Sequence, residues 1–389
     1  MRTLLTATTY LALSSLAAVF LPSASLGSVT ADSRLAASTA TAPLPAAADS
    51  LDDGPHVYWQ DDTTAIVFYL CDGEVAKRAF QVADTLRFEG FCTDRATEYV
   101  IPARAPEIEP HVFDDAPRIL TVSDIHGEYE YLVEFLQVAG VIDEDLRWNW
   151  GDGHLVVDGD TFDRGDKVTE CLWLLYRLER EAKAEGGRVH FVLGNHELMV
   201  MLGDNRYINE KYTNGIVRST RIKHEDLYGP QMELGRWLRS KHAVIKVNDI
   251  LFVHGGMPPE AIERGLSLDD INGTLRRTAD LRSYEIAFSD TVKFLLRGDG
   301  PLWFRGYHGA LEGRYPETSR EQIDAILETY DAKAIVVGHS EHDQVEALHD
   351  GKAFRIDVPV KTLESFQGLL WEDGRFYRVI GTGDLEPIG

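Results

Sequence analysis

The chain has 389 residues, of which 44% are hydrophobic and 26% charged, with 33 Gly, 15 Pro and only 3 Cys. This length and composition indicate one large or two medium globular domains, and they exclude collagen, a disulfide-knotted miniprotein and a wholly disordered chain. Acidic residues outnumber basic ones by 63 to 39, a net charge of −24 that argues against nucleic-acid or anionic-lipid binding. Any phosphorylated substrate would need a local cationic patch, which bound metal ions can supply.

The N-terminal residues 1–27 have the layout of a signal peptide: one charge at Arg2, an apolar stretch over 4–21, then Pro22 and small residues. The alternative is an uncleaved anchor helix, since the stretch approaches the ~20 residues needed to span a bilayer. Ser and Thr within the stretch favour cleavage, so we expect a periplasmic or secreted protein with no membrane contact afterwards. Residues 28–54 are rich in Ala, Ser and Pro without an apolar period, which predicts a disordered linker.

Residues 55–112 are predicted to form a small β-rich module. The runs VYWQ, TAIVFYLC and TLRFEGFC are β-branched and aromatic, and Asp-rich or Gly-containing turns separate them. Cys71 and Cys92 follow two of these runs, and the export signal makes a disulfide between them plausible. Cys171 then has no partner and is expected to be a buried apolar residue.

Residues 113–389 are predicted to form the main α/β domain. Apolar strands here end abruptly in polar clusters and are followed by helical runs, as in RILTVSDIHGEYEYLVEFLQVAG. Five polar clusters follow strands in this way. The carboxyl ends of strands in an α/β sheet line one edge, where ligands bind, so the clusters are expected to meet there.

The five clusters contain carboxylate, imidazole and amide groups but no thiolate. They supply Asp124 and His126 in SDIHG, Asp160, Asp163 and Arg164 in GDTFDRG, Asn195 and His196 in GNHE, His254 in HGG and His339 in GHS. This donor set suits Mn, Fe or Zn in a catalytic site rather than a structural zinc site. There are too many donors for one ion, but the number fits two ions ~3.5–4 Å apart that clamp the oxygens of a phosphoryl group.

The ordered series SDIHG, GDTFDRG, GNHE, HGG and GHS resembles the calcineurin-like metallophosphoesterases, and more closely the phosphoprotein phosphatase group. The resemblance implies a metallophosphatase β-sandwich flanked by helices. Two departures are Ser123 in place of the first Gly and the lack of a C-terminal SAPNYC-type segment. The motif PLWFRGY at 301–307 is instead similar to that of the Shewanella-like protein phosphatases, in which phosphotyrosine activity is found.

The resemblance implies a role for each residue of the clusters. Asp124 and His126 would bind one metal, Asp160 would bridge, and Asn195, His254 and His339 would bind the second. His196 would be the general acid, Asp163 the carboxylate that orients it, Arg164 a phosphate-binding fork and Arg305 a second clamp. Taken singly, Asp163 could instead cap the helix near Lys167, Arg164 could pair with a surface carboxylate, and Arg305 could be an ordinary surface arginine.

These roles imply a metal-dependent phosphomonoesterase, a protein phosphatase favouring phosphotyrosine, in which two divalent ions activate a hydroxide. Manganese is favoured over iron or zinc, and the substrate would be a phosphorylated protein or a small phosphomonoester. The alternatives are a dinucleoside polyphosphate hydrolase and a non-catalytic binding protein on the same fold. The segments 204–241 and 261–300 are expected to form helical caps around the cleft, with Tyr207, Tyr212, Arg218 and Arg221 as candidate lining residues.

Overall fold

A computed structural model describes residues 51–95, 97–279, 289–308 and 316–389. The predicted signal peptide and almost all of the predicted linker lie outside the described residues. Residues 49–389 belong to one compact unit. No helix in the described ranges is both long and apolar enough to cross a membrane.

The first strands are β-branched and aromatic, and they lie at 53–102, largely within the segment predicted to be a β-rich module. A three-stranded antiparallel sheet contains β1 (Asp53–Asp61), β2 (Thr64–Cys71) and β3 (Glu74–Gln81), and a two-stranded ribbon contains β4 (Thr85–Glu89) and β5 (Glu98–Pro102). Asp72 and Gly73 connect β2 to β3 with φ of 51° and 79°, as expected for a two-residue hairpin turn. The predicted disulfide joins Cys71 to Cys92, with a Cα–Cα distance of 5.6 Å, and Cys171 is buried.

The main part of the molecule contains two six-stranded mixed sheets. In chain order their strands are β6 (Val112–Phe113), β7 (Arg118–Val122), β8 (His154–Asp158), β9 (Arg188–Val192), β10 (Ile245–Val247), β11 (Ile250–Phe252), β12 (Ala334–Val337), β13 (Glu346–Leu348), β14 (Ala353–Arg355), β15 (Gln367–Glu372), β16 (Arg375–Ile380) and β17 (Leu385–Ile388). The order in one sheet is β17-β16-β15-β7-β8-β9, and in the other it is β13-β14-β12-β11-β10-β6. Strands β7, β8 and β9 are parallel, as are β11, β12 and β14.

The two sheets share one apolar core, which confirms the predicted sandwich. Ile119 and Val156 of one sheet belong to the same buried cluster as Phe252 and Val336 of the other. Alternate residues such as Val157 belong instead to a second cluster that includes the helices. This alternation is the period of two that a strand imposes on its side chains, so central strands such as β8, β11 and β12 are apolar on both faces.

Helices flank the sandwich. They are α1 (Tyr129–Val138), α2 (Val168–Ala184), α3 (Asn195–Met201), α4 (Glu210–Tyr212), α5 (Arg218–Thr220), α6 (Glu233–Arg239), α7 (Pro259–Glu263), α8 (Leu268–Thr278), α9 (Asp290–Leu295) and α10 (Arg320–Thr329). In the described residues, the other helical segments are a turn at 213–217, kinked at Gly215, and 3-10 turns at 224–228 and 363–365. Both segments predicted to be helical therefore contain helices, and residues 280–288 of the second one lie outside the described residues.

The β-rich module packs on α2 and α6 through buried polar contacts. The indole of Trp59 donates to Glu233 Oε2 at 2.6 Å, and the indole of Trp173 donates to the carbonyl of Pro55 at 2.9 Å. Tyr176 Oη donates to the other oxygen of Glu233 at 2.9 Å. Glu233 is 1% exposed, so the hydrogen bonds from Trp59 and Tyr176 offset the cost of burying its carboxylate.

Candidate metal centre

The polar residues of the five clusters come soon after strands, most of them in loops and the two from GNHE at the start of α3. Asp124, Asp160, His254 and His339 each lie two residues beyond the last residue of β7, β8, β11 and β12, and Asn195 lies three beyond β9. Strands from both sheets therefore contribute. The strand ends converge at one edge of the sandwich, where all five side chains are buried.

The backbone of these loops is unusual for residues other than glycine. Asp124, His126, Asp160 and His339 have φ of 51°, 48°, 55° and 72°, in the left-handed region. Such strain persists only where surrounding contacts enforce it, and it is common at functional sites. Here the enforcing contacts are between loops: the His126 amide donates to the Asp160 carbonyl at 3.0 Å.

Two glycines let the loops approach each other closely. A Cβ on Gly194 would collide with Asp160 Oδ1, and a Cβ on Gly338 would collide with Ser123 Oγ and Asp124 Oδ2. The glycine requirement at both positions therefore comes from close packing against a carboxylate. Ser123, the residue that departs from the family motif, donates to Asp124 Oδ2 at 2.5 Å.

Two groups of metal-ligand atoms share Asp160. Donor atoms of His126, Asp160 and His196 lie within 4.8 Å of one another, as do those of Asp160, His254 and His339. Asp160 Oδ2 lies 3.0 Å from His254 Nε2. Within the described part of the chain, His339 Nε2 is buried without a hydrogen-bond partner, which is the state expected of a nitrogen that binds a cation. The residues therefore fit a pair of divalent ions.

The outer nitrogens of two imidazoles are fixed by backbone carbonyls. His126 Nδ1 lies 2.7 Å from the Phe162 carbonyl, and His254 Nδ1 lies 2.7 Å from the Asp158 carbonyl. Each Nδ1–H therefore donates to a carbonyl and turns Nε2 toward the site, where its lone pair would bind a cation. This arrangement is the usual one for metal-binding histidines, in which the second nitrogen sets the tautomer and the ring orientation.

The neighbouring residues His196 and Asp163 form a buried pair. Asp163 Oδ2 lies 2.6 Å from His196 Nδ1, and His196 Nε2 lies 3.7 Å from Asp160 Oδ2. Burial opposes protonation of His196, but the charge of Asp160 and the hydrogen bond that the imidazole donates to Asp163 outweigh it and raise the pKa of the imidazole. Asp163 does not cap α2, whose N-cap residue Lys167 makes no side-chain cap.

Glu197, the last residue of GNHE, holds the backbone of the site in place. The sequence motifs gave no role to this residue. Its carboxylate accepts hydrogen bonds from the backbone amides of Gly194, Asp160, Thr161 and Phe162, at 2.7, 3.0, 2.8 and 3.3 Å. Burial and the charge of Asp160 raise the pKa of Glu197 to about 7. The Glu197 carboxylate therefore connects the loop that carries Asp160 to the start of α3. The only sequence signal was an acidic residue directly after the candidate ligands.

The two candidate arginine clamps differ in their surroundings. Arg164 is exposed, and its Nη1 lies 3.3 Å from Glu341 Oε1. Arg305 is half-buried, and its Nη1 donates to the His339 carbonyl at 3.0 Å and to Ser340 Oγ at 2.5 Å. Arg305 therefore holds the loop that carries His339, whereas Arg164 lies at the surface beside the site.

The candidate cleft residues of the helical segment divide into three kinds. Tyr207 is 48% exposed, and its ring centroid lies 5.4 Å from that of His196. The expectation for Tyr212 is wrong, because the residue is 2% exposed and does not line an open cleft. Its buried hydroxyl accepts a hydrogen bond from the Val168 amide and donates one to the Asp166 carbonyl. Arg218 and Arg221 are exposed on α5 and at its end.

Comparison with known proteins agrees with this geometry. A family model described as Calcineurin-like phosphoesterase matches residues 117–342. Shewanella-like protein phosphatase 1 of Plasmodium berghei (strain Anka) is 29% identical over 255 residues, which cover 64% of this chain and 68% of that protein. Shewanella-like protein phosphatase 2 of Arabidopsis thaliana is 27% identical over 302 residues, which cover 66% of this chain and 75% of that protein. The solved structure of a cold-active protein-tyrosine phosphatase from a psychrophilic Shewanella species has a TM-score of 0.79 and 32% identity, over 87% of this chain and 99% of that one.

Proposed function

Because this chain belongs to the calcineurin-like phosphoesterase family and is a phosphatase, we propose that it hydrolyses phosphotyrosine in proteins with the help of two divalent ions. The observation that carries the proposal is the position of Asp160, which is shared by two groups of ligand atoms and lies beside the His196–Asp163 pair. One carboxylate that touches both groups can bridge two ions. An acid–base pair next to the bridge is placed to serve a reaction there.

The proposed metal ligands are oxygen and imidazole donors. They are Asp124, His126, Asp160, Asn195, His254 and His339. This donor set suits manganese, with iron or zinc as alternatives. When bound, such ions act as Lewis acids that lower the pKa of water and offset the charge of a phosphoryl group.

The protein side chains would handle the proton and the phosphate. His196, protonated at Nδ1 and Nε2, would donate the Nε2 proton to the departing oxygen, while Asp163 holds the Nδ1–H and stabilises the imidazolium. A phosphate dianion would replace Glu341 on the exposed guanidinium of Arg164, whose planar fork matches phosphate oxygens. Arg305 would keep His339 in place through its carbonyl.

Two observations support the preference for phosphotyrosine. The half-exposed ring of Tyr207 lies beside His196 and offers a face or edge against which a substrate phenol ring can pack. A solved relative that aligns with 87% of this chain is a protein-tyrosine phosphatase by its name. A serine phosphate has no ring to use this surface.

The test compares three substrates with added manganese: a phosphotyrosine peptide, the same peptide with phosphoserine, and diadenosine tetraphosphate. We expect the highest kcat/KM for the phosphotyrosine peptide and a selective loss of that advantage in Tyr207→Ala. A higher value for phosphoserine would contradict the tyrosine preference. Preferred cleavage of diadenosine tetraphosphate would favour the dinucleoside polyphosphate alternative, and no hydrolysis of any substrate would favour a binding protein.

We also propose that the protein is exported to the periplasm or secreted. The disulfide between Cys71 and Cys92 supports this, because disulfides persist in oxidising compartments and are rare in the cytosol. Fractionation of cells that express the full chain would test it, and recovery of reduced protein from the cytosol alone would contradict it.

A further inference from the structure

A sixth strand ends at the same edge of the sandwich as the five that carry the candidate ligands. Strand β14 runs parallel to β12, with Arg355 paired to Val337, and the Ile356 amide donates to the Val337 carbonyl at 2.9 Å. The residue two positions beyond β14 is Asp357. This is the position, relative to the strand end, that Asp124, Asp160, His254 and His339 occupy on their own strands. Asp357 lies beyond the residues that the family model matches, 117–342.

The surroundings of Asp357 place it at the metal centre. The residue is 4% exposed, and its backbone is anchored by the His342 amide, which donates to its carbonyl at 2.9 Å. Among the described residues, none makes a hydrogen bond to its carboxyl group. Two residues beyond the last pair of β14 with β12, the register sets Asp357 beside His339, whose amide donates to Asp124 Oδ2 at 3.1 Å. His339 and Asp124 are both candidate ligands.

A buried carboxyl group near another carboxylate is unfavourable unless a cation or a proton compensates it. Asp124 is the other carboxylate, and it is one of the proposed metal ligands. We infer that Asp357 is a seventh residue of the metal centre, on the side of Asp124, and that its carboxylate contacts an ion directly or through an ion-bound water. The inference rests on the proposed function in that it requires the ions to bind.

The experiment measures manganese affinity, not turnover, in Asp357→Asn. Loss of a carboxylate that contacts the ion or its water should weaken manganese binding about 10–100-fold, as measured by calorimetry or by chelator competition. The matched control is Asp343→Asn, which removes an exposed carboxylate from the segment between β12 and β13 and should leave the affinity unchanged. Affinity in Asp357→Asn within about twofold of the wild type would overturn the inference.

Thermal unfolding separates this role from a structural one. Without metal, Asp357→Asn should melt no lower than the wild type, because no described residue makes a hydrogen bond to the carboxyl group that the substitution would break. With manganese, the rise in Tm should be smaller than in the wild type, since stabilisation by a ligand follows its affinity. A lower Tm without metal and an unchanged rise with metal would assign Asp357 a structural role and overturn the inference.

A measurement on the wild type covers the case in which the variant does not fold. In anomalous diffraction from manganese-loaded crystals, the Asp357 carboxylate should bind an ion directly or through one water. A carboxylate with neither contact would overturn the inference. Wild-type hydrolysis of p-nitrophenyl phosphate that depends on manganese tests the proposed function separately, so failure of Asp357 alone leaves that function standing.

Discussion

The two carboxylate oxygens of Asp160 make different contacts. Oδ1 accepts a hydrogen bond from the backbone amide of His196 at 3.0 Å, whereas Oδ2 lies 3.0 Å from His254 Nε2 and 3.7 Å from His196 Nε2. Asp160→Asn should keep the first contact and lose a negative ligand shared by two ions. We therefore expect metal affinity to fall by more than the ~10–100-fold typical of an outer-sphere change, together with activity.

Metal content of purified Asp160→Asn after dialysis measures this directly. Asp152→Asn is the matched control, because Asp152 is exposed before β8, at the end of that strand remote from Asp160. It should retain wild-type metal and activity. Two ions per chain in Asp160→Asn would rule out the bridging role.

The His196–Asp163 pair predicts a dependence on the leaving group. His196→Asn and Asp163→Asn should keep their metals but lower kcat by ~10²–10⁴-fold on alkyl phosphates, whose leaving oxygens need a proton. The loss should be smallest on p-nitrophenyl phosphate, whose phenoxide leaves without one. Because the two residues act as a unit, the double variant should be little worse than the worse single variant. Equal losses on all substrates, or losses that multiply, would count against a proton-donating pair.

The pH profile gives a second measure of the same pair. The pKa of His196 is raised, so the imidazolium persists to higher pH than an ordinary histidine, and activity should fall as the pH rises through that pKa. Asp163→Asn removes a hydrogen bond that raises the pKa. The fall should therefore begin at lower pH in this variant, and an unchanged basic limb would be inconsistent with Asp163 acting on His196.

At the scale of elements, strands β8 and β9 are joined at the edge opposite the metal centre by two buried histidines. His190 Nε2 lies 3.1 Å from His154 Nδ1, and the ring of Phe113 packs on His190 at 4.6 Å. Burial lowers the pKa of His154 to about 4 and, with the charge effect of His154, lowers that of His190 well below 6.5. Both are therefore neutral in the folded protein, and a hydrogen bond between two neutral rings joins the strands.

The lowered pKa values predict that stability falls in acid. In the unfolded chain these two histidines bind protons below about pH 6.5, whereas in the folded chain they remain neutral there. Their contribution to stability is therefore fully present above that pH and is lost as the pH falls toward 4. In that range the free energy of unfolding falls by about 1.4 kcal/mol per pH unit for each histidine. Urea unfolding of metal-free protein should show this, and His190→Gln should reduce the slope by about 1.4 kcal/mol per pH unit. The rest of the slope remains, because other buried histidines such as His224 and His242 also have lowered pKa values. His349→Gln, a change at a partly exposed residue, should not alter it, and a wild-type slope in His190→Gln would contradict the assignment.

At the scale of the whole molecule, the contacts of β1 with α2 and α6 predict that the β-rich module and the sandwich unfold together. Trp59→Phe keeps an aromatic ring but removes one of the donors to the buried Glu233 carboxylate. Loss of a partner for a buried acceptor should destabilise the fold by about 1–3 kcal/mol. We expect a single urea transition, at lower midpoint, that coincides when followed by circular dichroism and by activity.

The neighbouring tyrosine provides a control for this change. Tyr58 Oη donates to Gln231 Oε1 at 3.3 Å in an exposed contact, so Tyr58→Phe should shift stability by no more than about 0.5 kcal/mol. Two separate transitions in the wild type would mean that the β-rich module and the sandwich are independent units, as a domain boundary near residue 112 would allow.

The ligand loops and the class of fold could be predicted from the sequence because both depend on local pattern. A buried strand is a short apolar run, and a polar cluster with glycine directly after it marks a loop at the strand end, so Asp124, Asp160 and His254 were identifiable one segment at a time. The order of the motifs then indicated the family. The disulfide was predictable in the same way, since Cys71 and Cys92 lie in neighbouring strand-like segments.

Only the tertiary structure decided which strands share a sheet and which side chains meet. Strand β15 pairs with β7, more than two hundred positions earlier in the chain, and no local period encodes such a pairing. The same is true of Glu197, whose function depends on amides brought from another loop, and of Asp357, which resembles any acidic residue after a short strand. A sequence shows what a residue can do chemically, whereas its burial and its neighbours, which decide whether it does so, arise when distant segments pack.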